Sequence, residues 1–312
     1  MEIFESTFAE YKTVFTSNYH VFNTAEFNNL NQDKCTEVKY LIFKDSKFRL
    51  GLIAGVRNGY LLSPFSSPFG GFSFMKQDVQ IDAIEKAVSL LEDYAKQNDF
   101  KGIKIALPPL FYSESFLSKV INVLYRCDFT LFNLDLDFYL PLFKVSNYAD
   151  NIWYNAKKNL KISQKQEFLF SKCTIDDLEE VYDVIKKNRE AKGKPLNMSL
   201  ASVLATTDII DTDLFVVRKD NVAVASAIVF NCTDTILYVP FWGDIPGYGT
   251  QKPMNYLTYK IFEYYFNLGK KIVHIGISTE ESQPNYGLCE FKESLGCEIT
   301  PKLTFTKEFH VL

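Results

Sequence analysis

The sequence predicts an α/β chain with mixed sheets, arranged as two tandem units, on three observations. Short apolar runs of strand length alternate with helical patterns, the order expected of folds that layer helices on sheets. That order recurs. The succession strand, strand, loop, helix, strand, helix, strand occurs once in each half, and two pairs of matching strands, around Ile103 and Ile272 and from Asp128 and Cys297, lie 169 positions apart. Finally, residues 272–296, IVHIGISTEESQPNYGLCEFKESLG, read as an apolar strand, a polar loop and a helix in direct succession. A polar loop at the carboxyl end of a buried strand, feeding a helix N-terminus, is where such sheets present ligands. The N–H groups there are unpaired and the helix dipole favours negative charge.

Taken in order, two short N-terminal helical pieces precede strands at 37–44 and 48–56, joined by a hairpin turn over 45–47. Residues 61–74, LLSPFSSPFGGFSF, are too rich in Pro, Gly and Phe for regular helix. They suit either a pocket lining, with Phe69 against a substrate, or an aromatic-packed surface loop. Residues 79–97 carry Ile81, Ile84, Val88, Leu91 and Tyr94 at helical spacing. A buried strand (103–107), Pro108-Pro109, a helix over 113–126 and a strand over 128–140 complete the first half.

In the second half, residues 168–173 form a strand and 175–189 a helix. Thr174 and Asp177 stand at its start with the spacing of a capping box. Strands at 214–219 and 222–231 turn over Asp220-Asn221, and a third runs 235–241. The Gly/Pro-rich connection GDIPGYGTQKP leads to a helix at 254–267 and a strand at 271–277. Leu288, Phe291 and Leu295 then share one face of a helix at 287–295 that Gly296 stops, before a last strand near 298–309. The join is 144–165, giving an N-terminal domain 1–145 and a C-terminal domain 146–312 that carries the active cleft. Lysines 157, 158, 161 and 165 in that join read as a solvated helix face, or more sharply as a positive edge meeting a phosphate-bearing ligand.

Composition excludes several classes. With 47% apolar and 15% aromatic residues the chain can bury a sizeable core. A net charge of −4 offers no global attraction to nucleic acid or to an anionic membrane. Six scattered cysteines without a Cys-x-x-Cys pair read as free thiols, and three histidines without ligand spacing predict no metal. No signal peptide opens the sequence, and no window approaches ~18 uninterrupted apolar residues, so a soluble, cytoplasmic protein is expected. Nucleophile-elbow, P-loop and dinucleotide-binding glycine patterns do not follow any strand.

Three segments carry a family likeness: Asn285-Tyr286-Gly287-Leu288 followed by Phe291-Lys292 and Gly296, NAKKNLK at 155–161, and GKPLNMS at 193–199. With them the chain resembles the GNAT acyltransferase superfamily and, more narrowly, the Fem-type (FemAB-like) proteins, which carry two GNAT-like domains in tandem. The resemblance implies transfer of an acyl or aminoacyl group to an amine, such as an amino sugar or a peptide amine of a cell-envelope precursor. The implied donor is acetyl-CoA or another acyl-CoA, or else an aminoacyl-tRNA. GNAT enzymes that use coenzyme A bind its pyrophosphate on a Gln/Arg-x-x-Gly-x-Gly/Ala loop. The matching loop here assigns Gly247, Tyr248, Gly249 and Thr250 to the cofactor, with an acid, Asp244, where a cation or amide belongs. Fem enzymes that use tRNA often carry a coiled-coil insertion in the second unit. None is read here, and with the negative net charge tRNA is not favoured.

Acyl transfer requires a held carbonyl with a stabilised oxyanion, an amine that loses its proton and a leaving group that gains one. Lys292 is the candidate cation, for a tetrahedral oxyanion or for a donor phosphate, against the reading of a solvated helix lysine. Ser278, at the strand end with Thr279, is the second catalytic candidate. Asn285 either orients substrate or caps the helix. Tyr286, Phe291, Trp242 and Tyr238 are the remaining substrate-binding candidates, and Tyr238 and Trp242 lie where a parted strand end would admit a thioester. Their other reading is aromatic core. His274, alone in its strand, reads as packed core. The rival from another class is a catalytically inactive GNAT-fold protein that holds a small ligand or a partner in the cleft. Asp244 and the shortage of a base favour that rival.

Overall fold

The computed structural model describes residues 1–194 and 196–309. The chain divides into two compact units. One comprises Met1–Leu136, Glu280–Gln283 and the chain from Thr300; the other comprises Asp137–Thr279 and Pro284–Ile299.

The first unit contains β1 (Glu2–Ser6), α1 (Phe8–Val14), α2 (Ala25–Leu30), β2 (Glu37–Lys44), β3 (Phe48–Arg57), β4 (Tyr60–Ser63) and β5 (Phe72–Phe74). It continues with α3 (Ile81–Gln97), β6 (Gly102–Ala106), α4 (Glu114–Arg126) and the start of β7 (Thr130–Pro141). The second unit takes the end of β7, then α5 (Tyr154–Ser163), β8 (Leu169–Cys173), α6 (Leu178–Ala191), α7 (Leu200–Thr207), β9 (Thr212–Lys219), β10 (Val222–Asn231) and β11 (Ile236–Asp244). It then forms α8 (Pro253–Asn267) and β12 (Ile272–Ile277). A two-residue hairpin, β13 (Thr279–Glu280) with β14 (Gln283–Pro284), precedes α9 (Tyr286–Ser294) and β15 (Glu298–Glu308).

The two units repeat one sheet order. In the first it is β1-β2-β3-β4-β6, antiparallel except for the parallel pair β4 and β6. In the second it is β8-β9-β10-β11-β12, antiparallel except for the parallel pair β11 and β12. A sixth strand closes each: Thr304–Glu308 of β15 lies against β6, and Asp137–Pro141 of β7 lies against β12. Helix faces follow the 3.6-residue period. In α3, Ile84, Ala87, Val88, Leu91 and Ala95 are buried, whereas Ile81 faces water.

Several elements escaped the sequence pattern. β1 is a mostly exposed, polar edge strand, so it lacks the alternation that marks a half-buried one. Residues 61–74 hold short strands, and Phe69, expected from sequence against a substrate, lies in the core. Its ring is fully buried, 4.9 Å from that of Tyr112, 5.0 Å from that of His20 and 5.1 Å from that of Phe22. The polar loop after β12 contains the β13–β14 hairpin, which turns over Glu281 and Ser282, both at positive φ. Among the described residues, no helix is long and apolar enough to cross a membrane, and no cluster of three or more metal-ligating side chains forms.

Candidate functional site

The parallel pairing of β11 and β12 lasts three residues: Ile236, Leu237 and Tyr238 against Ile272, Val273 and His274. Both strands then run on, to Asp244 and Ile277, without pairing to each other. Three local causes part them. Pro240 has no N–H to donate to a ladder. β11 is bulged against β10, since Tyr238 faces Phe230 and Phe241 faces Ile228, which leaves Val239 and Pro240 opposite Val229 alone. β12 is bulged against β7, since His274 faces Tyr139 and Gly276 faces Phe138, with Ile275 extra. Gly276 sits at φ +74°, where a side chain would be strained, and a Cβ there would lie 3.5 Å from the Tyr238 ring.

The gap opens into a cavity of about 590 Å³ within the second unit. Tyr238, Pro240, Trp242 and Asp244 line it from β11, and Ile275, Gly276 and Ile277 from β12. Asn285, Phe291 and Lys292 come from the start and body of α9. Asn188, Arg189, Lys192 and Lys194 come from the end of α6 and the turn beyond it. The Trp242 and Phe291 rings meet edge to face at 6.5 Å.

Lys292 is not the solvated helix lysine that its acidic neighbours Glu290 and Glu293 suggest. Its side chain is 2% exposed, and Nζ donates to the carbonyls of Gly276 at 2.7 Å and Ile277 at 3.0 Å. The positive φ of Gly276 and the bulge beside it belong to the segment that presents those carbonyls. The Phe138 ring lies 5.0 Å from Nζ. Burial pushes the ammonium down to about 8, against the opposing pull of the Asp137 carboxylate. Asp137 is itself buried and accepts from His274 Nε2 at 2.8 Å, which places His274 in the core behind the cleft wall.

α9 is held at both ends. Asn285 caps it, its side-chain oxygen accepting from Leu288 N–H at 3.1 Å, while its own N–H donates to Ser278 O at 2.8 Å. At the other end Trp153 N–H donates to Ser294 O at 3.0 Å and Tyr148 Oη donates to Leu295 O at 3.1 Å. A Cβ on Gly296 would stand 2.6 Å from Asn151 O, so the chain can pass there only as glycine. The polar join of residues 144–165 thus braces the helix that carries Lys292.

Of the residues singled out from sequence, the cleft brings together Lys292, Asn285, Phe291, Trp242 and Tyr238. Tyr286 is 79% exposed and does not line it. Ser278 is buried beneath it, with an Oγ that finds no hydrogen-bond partner among the described residues. Gly247, Tyr248, Gly249 and Thr250 form a turn leading to α8, with open space at both glycines. Asp244, ahead of that turn, is tied to α6, for Asn188 Nδ2 donates to its Oδ1 at 2.9 Å and its main-chain O at 2.7 Å. Burial raises the Asp244 carboxyl, and Lys192 partly offsets this. Sequence reasoning missed Asn188, and also Arg189, Lys192 and Lys194, which read as ordinary helix-end cations. It also missed Pro240, whose place inside a strand was a legible signal of interrupted pairing.

No protein-family model and no curated protein matches the chain. Solved structures do. FemX aligns over 99% of this chain and 98% of its own with a TM-score of 0.73 and 12% identity. The fold is that of the tandem GNAT-like, Fem-type proteins. L-PGS from Bacillus licheniformis follows at a TM-score of 0.63 and 10% identity, over 99% of this chain and 94% of its own. The tandem GNAT protein from the clavulanic acid biosynthesis pathway aligns at 0.56 and 8%, over 98% of each chain. At these identities the likeness is one of fold.

Proposed function

We propose that this Fem-type fold is an N-acyltransferase, moving an acyl or aminoacyl group from an activated donor to an amine in the cleft between β11 and β12. The acceptor is an amine of a cell-envelope precursor, such as an amino sugar or a peptide amine. The observation that carries the reading is a gap in a parallel strand pair with a buried ammonium beside it. An extended donor arm lying in that gap meets main-chain groups of β11 that have no β12 partner. Two of the three N–H bonds of Lys292 go to Gly276 and Ile277, and the third donates to the acyl oxygen as charge develops on it. The amine nitrogen attacks the carbonyl carbon, forming the C–N bond, and the bond to the donor's sulfur or oxygen breaks. Asp244, the one carboxylate lining the cleft among the described residues, takes the amine proton, and the leaving group acquires one in turn. Its raised affinity for protons suits that role.

Acetyl-CoA or another acyl-CoA is the favoured donor. The turn Gly247–Thr250 fits its pyrophosphate in that the glycines leave the backbone open to approach, and Asn188 holds the neighbouring Asp244 carboxylate. Aminoacyl-tRNA is the second donor, and the cytoplasm supplies both. Titration calorimetry with acetyl-CoA is expected to give saturable heat. Absence of heat and of any melting shift, with acetyl- and longer acyl-CoA, would remove the coenzyme A form. Once transfer is observed, turnover that survives both Lys292→Met and Ser278→Ala would overturn the site. The rival, a binding protein without turnover, draws on the commitment of Lys292 to two carbonyls, which is also what a structural lysine would make.

A further inference from the structure

Helix α5 sorts its residues by face. Ala156, Leu160 and Ser163, at i, i+4 and i+7, are buried, and the helix packs against α8. The opposite face carries Tyr154, Lys157, Lys158 and Lys161. Lys165 extends the row in the turn beyond the helix, where its N–H donates to Ile162 O at 3.2 Å. These side chains, with Ile162, line a groove of about 420 Å³. A second hollow, of about 330 Å³, lies between Lys157, Lys161 and residues 145–150. Lys157 reaches the exposed carboxylate of Asp150 at 3.7 Å, whereas Lys158, Lys161 and Lys165 make no ion pair among the described residues. Acids of the same unit gather elsewhere: Asp176, Asp177, Glu179, Glu180 and Asp183 stand together at the start of α6. A chain of net charge −4 thus displays a row of unneutralised lysines on one helix face. Large rings stand in water at the N-terminal end of that row. Tyr154 is 84% exposed and Trp153 44%, and Phe143, at the head of the neighbouring segment, is 71% exposed.

We propose that this face of α5 docks on an anionic bilayer surface, with its lysines among lipid phosphates and Trp153 and Tyr154 at the level of the headgroups. Lysine carries a hydrated point charge on a flexible apolar stem, which suits a diffuse charged plane. The face has no arginine, whose planar fork is the better reader of individual nucleic-acid phosphates. Trp and Tyr are enriched where water meets lipid, and a basic helix face flanked by such rings lies in the plane of that interface. Repulsion of the acids elsewhere on the chain leaves the α5 side as the one turned to the lipid. No residue of the face lines the β11–β12 cleft, so the proposal stands apart from the transferase reading. Cosedimentation with vesicles tests it, using phosphatidylcholine alone and phosphatidylcholine with about a third phosphatidylglycerol, at low salt and at about 0.5 M salt. The wild type is expected to bind only the anionic vesicles and to leave them at high salt. Lys158→Gln and Lys161→Gln are each expected to weaken partition about fivefold, since one lysine near such a surface is worth about that factor. Lys86→Gln, exposed on α3, is expected to change nothing. In Trp242→Phe, which leaves Trp153 as the only tryptophan, emission is expected to shift to the blue on those vesicles. Equal binding to both kinds of vesicle, or a Lys158→Gln, Lys161→Gln double variant that partitions like the wild type, overturns the proposal. Lysine-dependent binding of uncharged tRNA without vesicle binding overturns it too, and makes the face a nucleic-acid surface.

Discussion

Lys292→Met is the substitution that best separates a working lysine from a structural one. Burial lowers this lysine from 10.5 to about 8. At ~1.4 kcal/mol for each tenfold change in proton affinity, holding it charged costs the folded state about 3 kcal/mol. Methionine fills similar space without charge, so the variant recovers that amount. It also leaves the carbonyls of Gly276 and Ile277 without the ammonium, at about 1 kcal/mol each, because both line the cleft and can bond to water instead. The two effects nearly cancel. Urea denaturation at pH 7 is therefore expected to place Lys292→Met within about 1 kcal/mol of the wild type, on the stable side, although the side chain is almost fully buried.

The same lysine fixes a pH signature. Between pH 8 and 10.5 the unfolded chain keeps a proton on Lys292 that the folded chain has released, so this group makes stability rise with pH across that window. Below about pH 8 both states are protonated and the cost is constant. Going from pH 7.5 to 9.5, the wild type is expected to gain about 2 kcal/mol relative to Lys292→Met. A variant that loses more than about 3 kcal/mol at pH 7, or that tracks the wild type across the window, would make Lys292 a structural tie.

Three further changes test the frame around it. His274→Ala leaves the buried Asp137 carboxylate without its ring partner and is expected to cost about 3 kcal/mol in urea denaturation; a loss under ~1 kcal/mol would remove that pair from the account. Gly276→Ala forces a Cβ into positive φ, so a loss of about 1–2 kcal/mol is expected, read as a melting temperature lower by several degrees. Asn285→Ala removes the α9 cap and is expected to cost about 1 kcal/mol; if the amide also touches substrate, KM rises while the stability loss stays at that size.

Periodicity made most of the fold legible. The 3.6-residue spacing of Ile84, Val88 and Leu91 and the apolar run Ile272 to Ile277 each named their element, and the 169-residue offset exposed the duplication. What it could not give was the chemistry of α9. Lys292 stands between Glu290 and Glu293, a context that reads as solvent, and only the bulged carbonyls of β12 bury it. Bulges leave no period in a sequence, because the extra residue is defined by the partner strand. The α6 cations were hidden for a related reason. Arg189, Lys192 and Lys194 read as dipole-matching charges, and a site appears only when β11 stops short of pairing and leaves them a wall to share.

The repeat also shows why one copy, and not both, presents this cleft wall. In the first unit β4 pairs with β6 without interruption from Tyr60 against Gly102 to Ser63 against Ile105, with no bulge on either strand. Where β11 runs on into open space, the chain after β4 folds back instead, and Gly70 N–H donates to Ala106 O at the end of β6. Phe65 and Phe69 are buried there, and a Cβ on Gly55 would collide with Phe65 at 2.4 Å, so the ring and β3 are in direct contact. Both units have the same strand order, yet the strand end that is lined with cations in the second is packed with aromatic rings in the first. The difference comes down to a few residues: Pro240 and Gly276 hold one pair of strands apart, and the segment carrying Phe65 and Phe69 fills the place beside the other.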